Sequence, residues 1–269
     1  SSKRGTQTEL CLAQLRLIQP NLKTWAISAT LGNLEEAAQT AVGLGARPVI
    51  IQSDIKRDTH IQSILPESVD SFPWAGHLGL HLFQELVDSL DAKKSTLIFT
   101  NTRSQAERWF QALSFAEPDC PMALHHGSIN LTEHQAIETG IKSGALKWVI
   151  CTSSLDLGVD FHPVERIVQI GSAKNLARLL QRAGRSAHQP GGTSEVFFLP
   201  TNALELLEIA AFRQGLAQGD IESRHPLRLP YDVLTQHLVT LACGDGFAPE
   251  ATLASIRQTV AFQDISDAA

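Results

Sequence analysis

Two hydrophobic rhythms alternate along the chain. Short β-rich runs lie at 24–28 (TWAIS), 48–52 (PVIIQ), 95–101 (STLIFTN), 121–127 (PMALHHG), 147–153 (KWVICTS), 166–171 (RIVQIG) and 195–199 (EVFFL). Between them stand stretches of helical period, such as Gln105 to Phe115, where Ala106, Trp109, Phe110 and Leu113 share one face. Asn130 with Glu133 three residues on matches an N-terminal capping box and predicts a helix over 131–142. Strand, loop and helix in repetition mean βαβ units and a doubly wound parallel sheet, the α/β class. The continuous apolar run WVIC at 148–151 fits a sheet covered on both faces.

That rhythm breaks twice. PESVDSFPWAGH (66–77) and SRHPLRLP (223–230) carry prolines and little periodicity, so each reads as a linker. Residues 1–70 hold two strands, which cannot close a parallel sheet of their own, and read as the tail of an α/β domain. Residues 71–222 read as a complete five-strand α/β domain. Residues 223–269 begin another, helical unit, with Val233, Leu234, His237, Leu238 and Leu241 at helical spacing and more helix after Pro249. The chain opens on Ser1-Ser2-Lys3-Arg4 and runs straight into a helical pattern, as a piece of a longer protein would.

Composition narrows the partners. A net charge of −6 over 269 residues argues against a protein that grips nucleic acid by bulk electrostatics, but leaves room for a local phosphate track. No apolar run is long enough to span a bilayer, and no membrane partner is expected. Cys11, Cys120, Cys151 and Cys243 are far apart without a CxxC pair, so reduced thiols and a cytoplasmic setting are expected.

In a parallel α/β domain, ligands bind at the loops that leave the carboxyl ends of the strands, and five such segments carry candidate chemistry. Ser28-Ala29-Thr30 offers hydroxyls that can relay between a nucleotide site and a neighbouring domain, or a plain strand-end turn. Asn101, Thr102 and Arg103 suit a phosphate backbone at a helix N-terminus, or simply cap that helix. His125 and His126 are adjacent at a strand end and project to opposite sides, so they cannot share one ion; no metal is expected, and Gly127 offers backbone to a phosphate instead. In TSSLDLGVDF (152–161), Thr152 and Ser153 can hold a phosphate, Gly158 permits close approach, and Asp160 can accept from a ribose hydroxyl. In QRAGRSAH (181–188), Arg185 can form paired bonds to a γ-phosphate oxygen, or end a basic, solvated helix alongside Arg182.

The fixed chain order of these segments resembles the motif order of superfamily 2 helicases. KRGTQTEL (3–10), SATLGN (28–33), FPWAGHLG (72–79), TNTRSQAE (100–107), HHGS (125–128), TSSLDLGVDF and QRAGRSAH resemble the large helicase-related family, above all its bacterial ligase-associated DEXH-box branch. The resemblance implies two RecA-like lobes followed by a winged-helix domain, ATP and Mg²⁺ as cofactors, and 3′-to-5′ movement on single-stranded DNA in a repair setting. A 3′-tailed single strand is the implied substrate, with DNA ligase and nuclease as implied partners. By position, Ser28, Ala29 and Thr30 correspond to the motif coupling hydrolysis to strand separation. Asn101, Thr102, Arg103, His126, Gly127, Thr152 and Ser153 correspond to nucleic-acid contacts. Gly158, Asp160, Gln181, Arg185 and His188 correspond to nucleotide-site residues, with Gln181 and Arg185 catalytic and Arg185 the arginine finger. His188 stands where many relatives in the wider superfamily place an arginine. The sequence contains no GxxxxGK[ST] loop and no Asp-Glu dipeptide, so the chain alone is expected to hydrolyse no ATP. Alternatives in the same frame are a non-catalytic module that binds nucleic acid or a partner, and a lobe of an RNA helicase.

Overall fold

The computed structural model describes residues 2–28, 30–52, 58–66, 72–76, 78–156, 164–186 and 193–267. They fall into two compact units: a sheet unit, Asp54–Ile221, and a helical unit made of Ser1–Ser53 together with Glu222–Ala269.

The sheet unit carries β1 (Asp58–Ser63), β2 (Thr96–Phe99), β3 (Met122–His125), β4 (Trp148–Cys151), β5 (Arg166–Ile170) and β6 (Thr193–Leu199). All pair in parallel, in the order β1-β6-β5-β2-β4-β3. Successive strand residues point to opposite faces, and both faces are filled. Leu97, Phe99, Val149, Cys151, Ile167 and Phe198 form one core, and Ile98, Ile150, Val168, Ile170 and Leu199 form the other. The helices α5 (Leu131–Lys142), α6 (Leu176–Ala183) and α7 (Leu204–Gln218) supply Ile141, Leu179 and Phe212 to the first core. To the second core, α3 (Phe83–Ser89) and α4 (Arg103–Ala116) supply Leu86, Trp109 and Leu113. This is the doubly wound parallel sheet that the hydrophobic rhythm implies, and it has the RecA-like form that the family resemblance implies.

The strand count differs from the five expected. Residues 58–63 (DTHIQS) form a sixth strand, joined to β6 from Asp58↔Thr193 to Ser63↔Phe198. The expected boundary at residue 70 therefore falls inside the unit that starts at Asp54. An edge strand needs only one buried apolar position, here Ile61, so it leaves no apolar run to read.

In the helical unit, α1 (Lys3–Ile18) packs with α8 (Tyr231–Cys243) and α9 (Pro249–Ile256) through Leu10, Val233, Leu234, Ile256 and Phe262. Residues from the two ends of the chain thus share one core, although the sequence reading places them in separate domains. A buried polar contact reinforces the join, because the Glu9 carboxylate accepts the backbone N–H groups of Val260 and Ala261. Burial pushes the Glu9 carboxyl above the ordinary carboxylate range, with those two bonds working against the shift.

The expected strands at 24–28 and 48–52 are not strands. Their described residues carry no regular structure, and Trp25 (89%), Ile27 (95%) and Ile51 (93%) stand exposed. A strand forms only against a partner that takes its backbone hydrogen bonds. These residues lie beside α2 (Leu34–Val42) around an open apolar groove of ≈ 1430 Å³.

Among the described residues, no helix is long and apolar enough to cross a membrane.

Candidate functional site

The connections after β2 and β5, neighbours in the sheet, depart in opposite directions. From β2 the chain passes through α4 to β3 on one side, and from β5 through α6 to β6 on the other. That makes the gap beyond β2 and β5 the topological switch point, where ligands bind in such sheets. Gly171 ends β5 with φ 73°, and a side chain there would come within 3.2 Å of Asn101 Nδ2, so glycine keeps this crevice open. Only the strand-end position and the glycine itself could have flagged it in the sequence.

At the end of β2, Thr100 N–H donates to Cys151 O (2.8 Å), binding this loop to β4. Asn101 and Thr102 follow on the surface; Asn101 N–H donates to Gln105 Oε1 (3.0 Å), and Thr102 Oγ1 accepts from Gln105 N–H (3.1 Å) as the N-cap of α4. Arg103, the first residue of α4, keeps its side chain 59% exposed and donates from Nη1 to Ser128 Oγ (2.9 Å).

That bond ties the β2 loop to the β3 loop, and Glu107 adds a second tie. Its Oε1 faces Arg103 Nε at 3.6 Å and His126 Nε2 at 3.5 Å. Ser128 N–H donates to His126 Nδ1 (3.3 Å), so the largely buried His126 ring braces the loop from within. Gly127 and Ser128 remain at the surface. A Cβ built on Gly127 meets nothing within 4 Å, and its φ is not positive. Neither packing nor backbone strain calls for glycine there, so the surface at this position is open.

The third loop follows β4. Thr152 N–H donates to His125 O (3.2 Å), Thr152 is half-buried, and Ser153 opens a 3-10 turn with its side chain exposed. Asn101, Thr102, Arg103, Gly127, Ser128 and Ser153 thus line adjoining loops at the carboxyl ends of β2, β3 and β4, held together by main-chain bonds and the Arg103–Ser128 tie.

His125 turns the other way, into the protein. Its Nδ1 lies 2.8 Å from Ser154 Oγ, and its Nε2 lies 2.7 Å from Nδ1 of His134 on α5. Burial, with His134 and His126 close by, pushes its pKa down to about 4.

The two arginines of QRAGR separate. Arg182 is 1% exposed; its Nε donates to Asp156 Oδ1 (2.8 Å), its Nη1 to Gln169 Oε1, and its guanidinium stacks 4.6 Å from the Phe99 ring centroid. Arg178 Nε stands 3.5 Å from the other oxygen of the same carboxylate. Arg185 lies past the C-terminus of α6, half-buried, with Nη2 donating to Asp156 O (3.0 Å) and its carbonyl accepting Val164 N–H (2.9 Å). Asp156 is the hub of this side of the site. Nothing along the chain pairs it with residues 22 to 29 positions later, so the sequence alone does not mark it. Gln181 sits partly exposed on the last turn of α6. Gly158, Asp160 and His188 lie outside the described residues, as does Ala29.

In the helical unit, Ser28 is exposed on the rim of the apolar groove, and Thr30 is half-buried.

Comparison with known proteins bears on both units. Residues 80–189 match the helicase conserved C-terminal domain, and residues 214–269 match the winged-helix domain of large helicase-related proteins. The chain is 30% identical over 271 residues to the ATP-dependent helicase Lhr-Core of Methanocaldococcus jannaschii, covering 99% of this chain and 31% of that protein. It is 30% identical over 275 residues to the Lhr-Core helicase of Methanothermobacter thermautotrophicus, covering 98% and 32%. The chain therefore spans about a third of these relatives. Among solved structures, the Mycobacterium smegmatis helicase Lhr bound to ssDNA and AMP-PNP superposes with a TM-score of 0.84 at 29% identity, over 100% of this chain and 36% of that one. With a RecA-like helicase lobe and a winged-helix match of this particular type in one chain, the chain belongs to the large helicase-related family of superfamily 2 helicases.

Proposed function

We propose that this chain is part of an ATP-dependent DNA helicase that moves 3′ to 5′ along single-stranded DNA, in the ligase-associated branch of the family and in DNA repair. The sheet unit acts as the second motor lobe, and residues 24–28 and 48–52 belong to the sheet of the first. Their exposed Trp25, Ile27 and Ile51 support that assignment, since large apolar side chains gathered at a surface suit a face that packs against a partner. Ser28, Ala29 and Thr30 then couple the two lobes.

The observation that carries the reading is the Arg103–Ser128 bond, which joins two strand-end loops into one polar rim beside the open Gly127. Spaced hydroxyl, amide and backbone N–H groups of this kind suit successive phosphates of a single strand. Asn101, Thr102, Gly127, Thr152 and Ser153 take the backbone, and Arg103 adds the charge. On the other side of the switch point, Arg185 is held by a main-chain oxygen, in the manner of a positioned cation. ATP, with Mg²⁺, supplies the energy of movement in the complete enzyme. Gln181 and Arg185 meet its phosphates from this lobe, with Gly158, Asp160 and His188 alongside. Setting the chain in the cytoplasm with ligase and nuclease partners completes the reading.

Titration of a fluorescent single strand against salt tests it. Each phosphate neutralised contributes about −0.7 to the slope of log affinity on log salt. Arg103→Ala should flatten that slope by about that amount, and an unchanged slope would remove Arg103 from the track. The same titration with single-stranded RNA tests the nucleic-acid preference. Polarity is read from the complete enzyme on 3′-tailed against 5′-tailed duplexes.

A further inference from the structure

His125 and His126 diverge, as adjacent strand residues must, and the elements place a different set of ligands together. Within the α5 helix His134 and Glu138 stand four residues apart, so both fall on one face. That face meets the end of β3, where His125 points inward. One ligand atom from each of His125, His134 and Glu138 lies within 4.8 Å of the others, a grouping found among the described residues. His125 is buried, and the other two are half-buried.

We propose that His125, His134 and Glu138 form a binding site for a divalent transition cation of the zinc class. Two imidazoles and a carboxylate are a ligand set that zinc accepts, with the fourth position left to water. Support behind the ligands is in place. Ser154 Oγ–H donates to His125 O (3.2 Å), and its Oγ lies 2.8 Å from His125 Nδ1, where it can accept a proton. In that arrangement Nε2, the nitrogen facing His134, carries the lone pair that a cation needs. The Nε2–Nδ1 separation of 2.7 Å is a hydrogen bond; two nitrogens sharing a zinc at about 2.0–2.1 Å each would stand about 3.3 Å apart. A small swing of the His134 ring on the half-exposed face of α5 exchanges one arrangement for the other.

The cation would join both ends of the connection 126–130, the loop that carries Gly127 and Ser128. Residue 129 already closes that loop with a turn bond to His126 O (3.2 Å), and Asn130 caps α5. Binding there would fasten the loop from beneath.

The test uses the tag-free full chain after chelator treatment, titrated with cobalt(II) and then zinc(II). One equivalent of cobalt(II) should give the intense visible band of a four-coordinate site, and zinc(II) should displace it. Zinc(II) should also raise the thermal unfolding midpoint. Glu138→Gln and His134→Ala, both on the partly exposed helix face, should each weaken binding by more than the ~10–100-fold typical of losing a supporting hydrogen bond. Ser154→Ala should fall within that smaller range. Absence of the band in the parent chain would overturn the site. So would a band that survives both ligand substitutions, because the ion would then sit elsewhere.

Discussion

Asp156 and Arg182 form an ion pair sealed inside the sheet unit, with Nε on Oδ1 at 2.8 Å and side chains 8% and 1% exposed. The pair links the turn after β4 to α6, and the same aspartate lends its backbone oxygen to Arg185. Removing one partner strands a buried charge, which typically costs about 3–5 kcal/mol. Asp156→Ala should therefore lower the stability of the chain by that order, read as a fall in the urea midpoint at unchanged slope. A loss under about 1 kcal/mol, the ordinary worth of an exposed pair, would show that Arg182 finds another partner.

Arg185 is expected to behave in the opposite way. Half-buried, with its Nη2 on a main-chain oxygen, a bond worth about 1.5–3 kcal/mol for a charged donor, Arg185 can be replaced by Ala in a chain that still folds. In the complete enzyme the same substitution should reduce ATP turnover by about 10³–10⁵-fold, the usual effect of losing an arginine finger, with DNA affinity nearly unchanged. Turnover close to that of the parent would make Arg185 a structural cation like Arg182.

This contrast shows where the sequence is legible. β2 and β4 announce themselves, because a strand covered on both faces is mostly apolar, and β5 does so through Ile167, Val168 and Ile170 despite the buried Gln169. The N-cap at Asn130 is legible for a similar reason: its side chain accepts Glu133 N–H at 2.8 Å, a bond made within three residues. Arg182 and Arg185 cannot be told apart along the chain, since what separates them is the distant Asp156 carboxylate. β1 is hidden because its partner β6 lies 135 positions further along at Asp58↔Thr193. His134 and Glu138 are not legible as ligands because their third companion sits on a strand, and helical spacing alone marks only an ordinary polar face.

Gly127 separates a role in binding from one in folding. Because a Cβ there meets nothing within 4 Å, Gly127→Ala should leave the thermal midpoint unchanged or slightly raised, as removing backbone freedom is worth about 0.4–1 kcal/mol. Single-stranded DNA affinity should fall by about tenfold, or 1.4 kcal/mol, once a methyl group holds the phosphate away. Equal affinity in the two proteins would place the strand elsewhere.

The exposed runs at 24–28 and 48–52 make a prediction for hydrogen exchange. Described without regular structure in this chain, their amides should exchange rapidly by mass spectrometry. In the complete enzyme they should become protected, if they are strands of the first lobe. Equally fast exchange in both proteins would detach these residues from that sheet.

Glu9 gives the helical unit a pH dependence whose sign follows from burial. Its folded-state pKa is raised, so between the ordinary carboxylate value and that raised value the folded chain holds more proton than the unfolded one. Stability must then fall as pH rises through this window, with the full penalty present above it. Glu9→Gln keeps an acceptor for Val260 and Ala261 while removing the charge. Relative to the parent, it should gain stability as pH rises from acid to neutral. Glu9→Ala instead strips both backbone donors of their acceptor, at about 1–3 kcal/mol for each donor left buried and unpaired, and should be less stable at every pH. Chemical unfolding at several pH values distinguishes the three proteins. A Glu9→Gln curve parallel to the parent's would mean that the carboxylate is solvated in the folded state, and that the join between α1 and the segment after α9 rests on its apolar contacts alone.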